Sequence, residues 1–266
     1  MSGLLVVVGT GIKAVGHMTL DARAWIARAD EVHYVVADVI TEAMIRGLRP
    51  DAQSLARFYQ TGRARHDTYE AMTQSLLAAV RAGRTVCAAF YGHPGVFVYP
   101  SHDAIRRARA EGLRAVMDPG VSAEDCLFAD LGLDPAVVGC AQYEATDLLV
   151  YGRRPDPSAA LIVWQIGAVG DLAWNPGRTN ADNVRVLADE LASTYGHDHV
   201  VVVYEAAQLP TCGPRVEPVR LGDLHRVALT TASTLFVPPH ERRAPDPRMI
   251  ARLGLDGRSF GLPEPR

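Results

Sequence analysis

The chain has 266 residues, 48% of them hydrophobic and 21% charged, with 30 acidic against 27 basic side chains and a net charge of -3. That balance describes a globule with a sizeable core and lacks the basic surplus that would hold a nucleic-acid backbone. Apolar runs such as LLVVVG are strand-length and too short to cross a bilayer. No charged segment leads into an apolar stretch and cleavage site at the start, so the expected compartment is the cytoplasm.

Taken in chain order, residues 4–9 read as a buried strand, and GTG then turns towards a helix over 19–29. A second strand fits 31–36, and helical periodicity follows around 41–47 and over 68–82, the latter closed by Gly83. A strand over 85–91 runs through YGHPG into a helix over 101–111. Next come a strand at 114–117, the turn DPGVSAED and a helix over 123–131. This alternation predicts an α/β fold whose first sheet is mostly parallel. Beyond about Cys140 the pattern changes: strands at 160–167, 199–207, 215–221 and 233–237 surround one helix over 180–195. A second α/β domain with a mixed or antiparallel sheet is expected. The boundaries read as 1–145, 146–240 and a proline-bearing tail over 241–266 with a short helix at 247–253. The seam falls in the polar stretch between Glu144 and Pro157.

Several motifs admit a purely structural reading. Gly9, Gly11 and Gly16 have the spacing G-x-G-x-x-x-x-G, which fails the dinucleotide fingerprint. His197 and His199 would point to opposite faces of an extended segment, so no metal site is expected there. Cys87, Cys126, Cys140 and Cys212 match no zinc spacing and are expected as buried free thiols. FYQTGRARHDTY, residues 58–69, reads structurally as a solvated linker with a helix cap at Asp67 or Thr68. That reading leaves Tyr59 and Tyr69 unexplained. In YGHPG, glycines beyond a strand end permit close approach of backbone to a ligand. In PGVSAED, Ser122 reads as a helix cap, and a helix N-terminus also suits a ligand carboxylate.

GTGI, YGHPGVFVYPSH, PGVSAEDCLFADLGLDP, YEATDLL, WQIGAVG and STLFVPP occur in that order. Together they resemble the tetrapyrrole-methylase-like, or class III, S-adenosylmethionine-dependent methyltransferases. The combination is most similar to the borosin peptide backbone α-N-methyltransferases, over roughly residues 3–255. The resemblance implies S-adenosylmethionine in a cleft between two α/β domains and no metal. By it, Tyr91, His93, Val96 and Phe97 contact the cofactor, Ser122 and Ala123 form a second binding turn, and Gln165, Ala206, Ser233 and Thr234 close the adenine side. The catalytic set would be Tyr59, Arg65, Tyr69 and Tyr91.

An amide nitrogen is scarcely acidic and its lone pair is delocalised into the carbonyl. Its methylation therefore needs proton removal, stabilisation of the imidate charge and in-line placement. By the resemblance Tyr69 is donor to the substrate or general base, Arg65 stabilises charge, Tyr59 is their partner, and Tyr91 orients the acceptor amide. A guanidinium nearby is expected to lower a phenol's pKa. Fused relatives carry a further tyrosine where this chain has Ala56. The resemblance further implies a homodimer, since the loop over residues 59–67 looks too exposed to form a dry site alone. Because the family pattern ends near Leu255 and DGRSFGLPEPR is too short for a clasp domain and apolar core, the acceptor is expected to be a separate precursor peptide. It would carry a docking leader and be methylated at several successive residues. Methylation of a tetrapyrrole or other small molecule, and a catalytically silent peptide-binding module, stand as alternatives.

Overall fold

The computed structural model describes residues 3–175 and 177–260. The first half of the chain gives β1 (Leu4–Gly9), α1 (Leu20–Arg28), β2 (Glu31–Val35), α2 (Val39–Leu48), β3 (Gln53–Ser54), α3 (Arg65–Arg81), β4 (Thr85–Phe90), α4 (Tyr99–Ala110) and β5 (Arg114–Met117). Its five strands form one sheet in the order β3-β2-β4-β1-β5, all neighbours parallel. β1 is buried along nearly its whole length because helices cover both faces, which is why its sequence shows a continuous rather than alternating apolar run.

α5 (Ala123–Leu131), α6 (Pro135–Val138), β6 (Cys140–Glu144), α7 (Ala145–Val150), β7 (Ala160–Trp164), α8 (Ala181–Tyr195), β8 (Val200–Glu205), β9 (Arg215–Arg220), β10 (Thr234–Val237) and α9 (Pro247–Arg252) follow. The second sheet runs β6-β7-β10-β8-β9, with β6 and β7 parallel and the other pairs antiparallel. β9 lies on the edge, where Pro218 forfeits no interior ladder bond, and its burial alternates residue by residue. α7 and α8 pack on one face of this sheet. On the other, Leu127 of α5 packs against Ile162, Trp164 and Tyr204.

Two expectations shift. β6 pairs with β7, so the chain crosses between sheets after Met117 and before Cys140, ahead of the expected seam at Glu144 to Pro157. The polar stretch after Glu144 instead begins with α7, whose Ala145 and Leu148 are core residues of the second sheet. α3 also starts three residues early, at Arg65, with Ala64 as an uncapped N-cap; the Thr68 hydroxyl donates to the Ala64 carbonyl rather than capping the helix. Of the four free cysteines, Cys87 is buried, Cys126 and Cys140 are half-buried and Cys212 is exposed.

Candidate functional site

Three loops leave the carboxyl ends of β1, β4 and β5 and meet through glycines. A Cβ on Gly9 would stand 2.3 Å from the Gly92 carbonyl oxygen and 3.1 Å from the Gly120 Cα. Gly11 and Gly92 also exchange backbone hydrogen bonds of 3.2 and 3.0 Å. The glycines of YGHPG and its neighbours thus serve first to bring backbone against backbone. Gly95, whose N–H donates to His93 Nδ1 at 2.9 Å, lies against Met117 and the His93 ring.

Above this junction lies a cleft of about 260 Å³, closed on its far side by the second sheet. Its wall includes Tyr59, Tyr69, Tyr91, His93, Val96, Phe97, Ser122, Ala123, Gln165, Ala206 and Thr234. The family resemblance named all of these. Two non-glycine residues of its wall have left-handed backbone: Phe97 at φ 55° and Gln165 at φ 58°. Such strain concentrates at binding sites, where the surroundings hold it. The Phe97 ring lies 5.6 Å from that of Trp164, at an interplanar angle of 49°. Ser122 spends its hydroxyl in a capping box with Asp125, so the structural reading of that serine holds even though it borders the cleft.

Arg65 and Ser233 stand outside the wall. The Ser233 hydroxyl donates to Glu205 at 2.5 Å and accepts from the Thr230 N–H at 2.8 Å. It shapes the loop that presents Thr231, Ala232 and Thr234 to the cleft. Arg65 Nε donates to the Ala173 carbonyl at 3.2 Å, and the Arg65 N–H donates to Leu172 at 3.0 Å. Gly62 and Trp174 continue the pairing, through Gly62 N–H to the Trp174 carbonyl at 3.1 Å and Trp174 N–H to the Arg63 carbonyl at 3.0 Å. The second domain therefore staples the 62–65 segment. The tether leaves Gln60, Thr61, Gly62, Ala64, His66 and Asp67 exposed, as the sequence suggested for this loop. Ala56 is exposed in the short turn just before Tyr59.

Burial governs the phenols. It pushes Tyr59 up to about 12, reinforced by neighbouring Tyr69 and opposed by Arg65. Tyr69 is also raised by burial against the same opposing guanidinium. Burial takes Tyr91 to about 12, against a hydrogen bond from Gln208. The expected lowering by Arg65 is present but loses to desolvation, so all three are neutral hydroxyls at neutral pH. Tyr69 stacks on Tyr99 at 6.0 Å, and Tyr59 tilts against Trp174 at 5.3 Å. Trp164, Gln208, Thr231, Ala232 and Trp174 were not anticipated. Trp164 adjoins Gln165 in WQIGAVG and was within reach of that motif, whereas nothing local marks Trp174.

A model of the tetrapyrrole (corrin/porphyrin) methylases matches residues 4–224, from β1 through β9. The chain belongs to that family. The fold of this chain is similar to uroporphyrin-III-C-methyltransferase from Thermus thermophilus, with a TM-score of 0.63 at 22% identity over 90% of this chain and 93% of the other. It is likewise similar to a diphthine synthase, with a TM-score of 0.64 at 18% identity over 90% and 91%. In sequence it is 47% identical over 246 residues to a methyltransferase/ribosomally synthesized type I borosin cyclic peptide precursor of Coprinopsis marcescibilis, covering 90% of this chain and 62% of that one. It is 41% identical over 258 residues to a methyltransferase/ribosomally synthesized cyclic peptide omphalotin A precursor of Omphalotus olearius, covering 96% and 62%. The chain thus spans about three-fifths of the length of these relatives.

Proposed function

We propose that this protein transfers methyl groups from S-adenosylmethionine to backbone amides of a precursor peptide. The observation that carries the reading is the cleft itself. Three half-buried, neutral tyrosines border it, with one arginine charge behind two of them. The relatives named as borosin precursors support a peptide as acceptor.

The donor set fits an amphiphilic cofactor. Ile12, Val96, Ala206 and the aromatic pair Phe97 and Trp164 offer apolar contact, while Gln165 and Thr234 offer polar groups. An aromatic face suits a cation. When bound, S-adenosylmethionine supplies an electrophilic methyl group, which an amide attacks only as its imidate. The proton that the amide nitrogen gives up passes to solvent water, and Tyr59, Tyr69 and Tyr91, whose raised pKa values keep their own protons in place at neutral pH, act as hydrogen-bond donors to the imidate oxygen left behind. A fixed donor of this kind is worth about 3–4 kcal/mol in the transition state. Arg65, anchored on Ala173, adds positive potential without contacting the cleft wall.

In this reading the acceptor is a separate peptide with a docking leader and an apolar core, modified at several successive amides by a cytoplasmic homodimer. Mass spectrometry of such a peptide co-expressed with the protein tests it. Gains of one CH₂ per event, located on backbone nitrogen, support the reading. An unmodified peptide alongside methylation of a small-molecule acceptor overturns it. Incubation of the purified protein with cofactor alone leaves its own mass unchanged if the acceptor is separate.

A further inference from the structure

We infer that Trp174 is a positioning residue for the tyrosine set, carried by the second domain and held against Tyr59 so that it fixes that ring's orientation and shields it from water. This rests on the reading just given, because Tyr59 has a role only if the cleft methylates an acceptor. Trp174 itself lies outside the cleft wall.

Trp174 belongs to a short segment built to a defined shape. Asp171 organises it: the Ala173 N–H donates to Asp171 at 2.9 Å, and the Asn175 amide donates to the same carboxylate at 3.0 and 3.1 Å. At its root the Asn183 amide of α8 donates to the Val169 carbonyl at 3.0 Å. At its tip the four bonds to Gly62, Arg63 and Arg65 tie it to the first domain. A segment fixed at both ends holds its side chains in register. Trp174 is half-buried, and its ring lies 5.3 Å from that of Tyr59.

Among the described ring contacts Tyr59 meets Trp174, whereas Tyr69 leans on Tyr99. The two phenols are thus braced from opposite domains: Tyr69 from α4 of the first and Tyr59 from the 171–175 segment of the second. Relative displacement of the domains would therefore pull Trp174 off Tyr59 and free that ring to turn. Because misplacement of a reacting group by about 1 Å can cost about 10²-fold in rate, the brace matters to turnover rather than to cofactor binding. The raised pKa of Tyr59 agrees with a ring kept out of water.

The experiment compares the parent with Trp174→Phe, which keeps a ring, and with Trp174→Ala and Trp174→Leu, which remove it. Leucine retains apolar bulk should alanine unfold the segment. Two readouts are taken: kcat and KM for peptide methylation, and the rate of Tyr59 nitration by tetranitromethane, mapped by peptide mass spectrometry. Loss of the ring should lower kcat by about 10- to 100-fold with KM for S-adenosylmethionine unchanged. It should also speed nitration of Tyr59, and phenylalanine should restore both. Parental kcat in Trp174→Leu overturns the inference, whether or not nitration changes. Parental nitration in that variant overturns it too, since the shield would then be absent. If the parent itself modifies no peptide, the functional reading fails, and nitration still decides whether Trp174 guards Tyr59.

Discussion

Gly9→Ala tests whether the site's frame depends on three loops touching through their backbones. The added Cβ would meet the Gly92 carbonyl oxygen at 2.3 Å, so that oxygen must withdraw by 0.7 Å merely to reach 3.0 Å. The same Cβ would stand 2.9 Å from Pro94 Cδ. Neither neighbour is the end of a flexible side chain. Withdrawal also pulls on the 3.2 Å bond that the Gly92 carbonyl accepts from the Gly11 N–H. Overpacking against backbone costs typically 1–3 kcal/mol, and here the upper end, about 3 kcal/mol, is expected. With about 2–4 °C of Tm lost per kcal/mol in a chain of this size, unfolding should come about 6–12 °C earlier. Because residues 92–96 carry part of the cleft wall, affinity for S-adenosylmethionine should fall as well. Scanning calorimetry and calorimetric titration read the two effects. Gly16→Ala is the control, because a Cβ there meets nothing within 4 Å. If Gly9→Ala unfolds and binds like Gly16→Ala, the close approach of the loops is not what requires glycine.

Gly47→Ala, at an exposed position inside α2 where a Cβ meets nothing within 4 Å, should stabilise the protein by about 0.5–1 kcal/mol in denaturant titration. Arg65→Ala and Tyr69→Phe should each lower kcat for peptide methylation by about 10²–10³-fold while leaving cofactor affinity near parental; parental rates would return these residues to a structural role. Glu70, gripped by Arg107 through bonds of 2.7 and 2.6 Å, is held down at about 2 by those bonds. Its contribution to stability is complete above the ordinary carboxylate range and is lost as the pH falls through about 2, so Glu70→Gln should flatten the acid limb of the stability profile. Tyr59 works in the opposite direction: with its folded pKa at about 12, its contribution is complete below the ordinary phenol value of about 10. It is lost as the pH rises towards 12, and Tyr59→Phe should remove that alkaline loss.

Periodicity and punctuation were enough to locate most of the first domain. LLVVVG, TVCAAF and the capped helix after Ser122 carry their structure locally, through continuous apolar burial and a capping box that neighbours in sequence complete. The glycine-bearing loops were legible as candidate ligand borders, whereas the individual cleft residues on them came from the family resemblance those motifs carry. β3, with two residues, offers too little pattern to read. β6 reads ambiguously because it is a half-buried edge strand, and its partnership with β7 is decided by pairing across an intervening helix.

What the sequence by itself determined is the order of elements and the glycine-bearing turns, since each depends on local backbone preference and on which side chains avoid water; the cleft residues it named came through its resemblance to a known family. Only the tertiary structure decided where the sheets part, that Ser233 serves Glu205 rather than the cleft, and that burial outweighs Arg65 at the phenols. It also placed Trp174 on Tyr59, a contact between residues more than a hundred positions apart. The physical reason is common to all four. Desolvation and side-chain contact depend on what surrounds a group in space, and here those surroundings come from the other domain or from a distant strand.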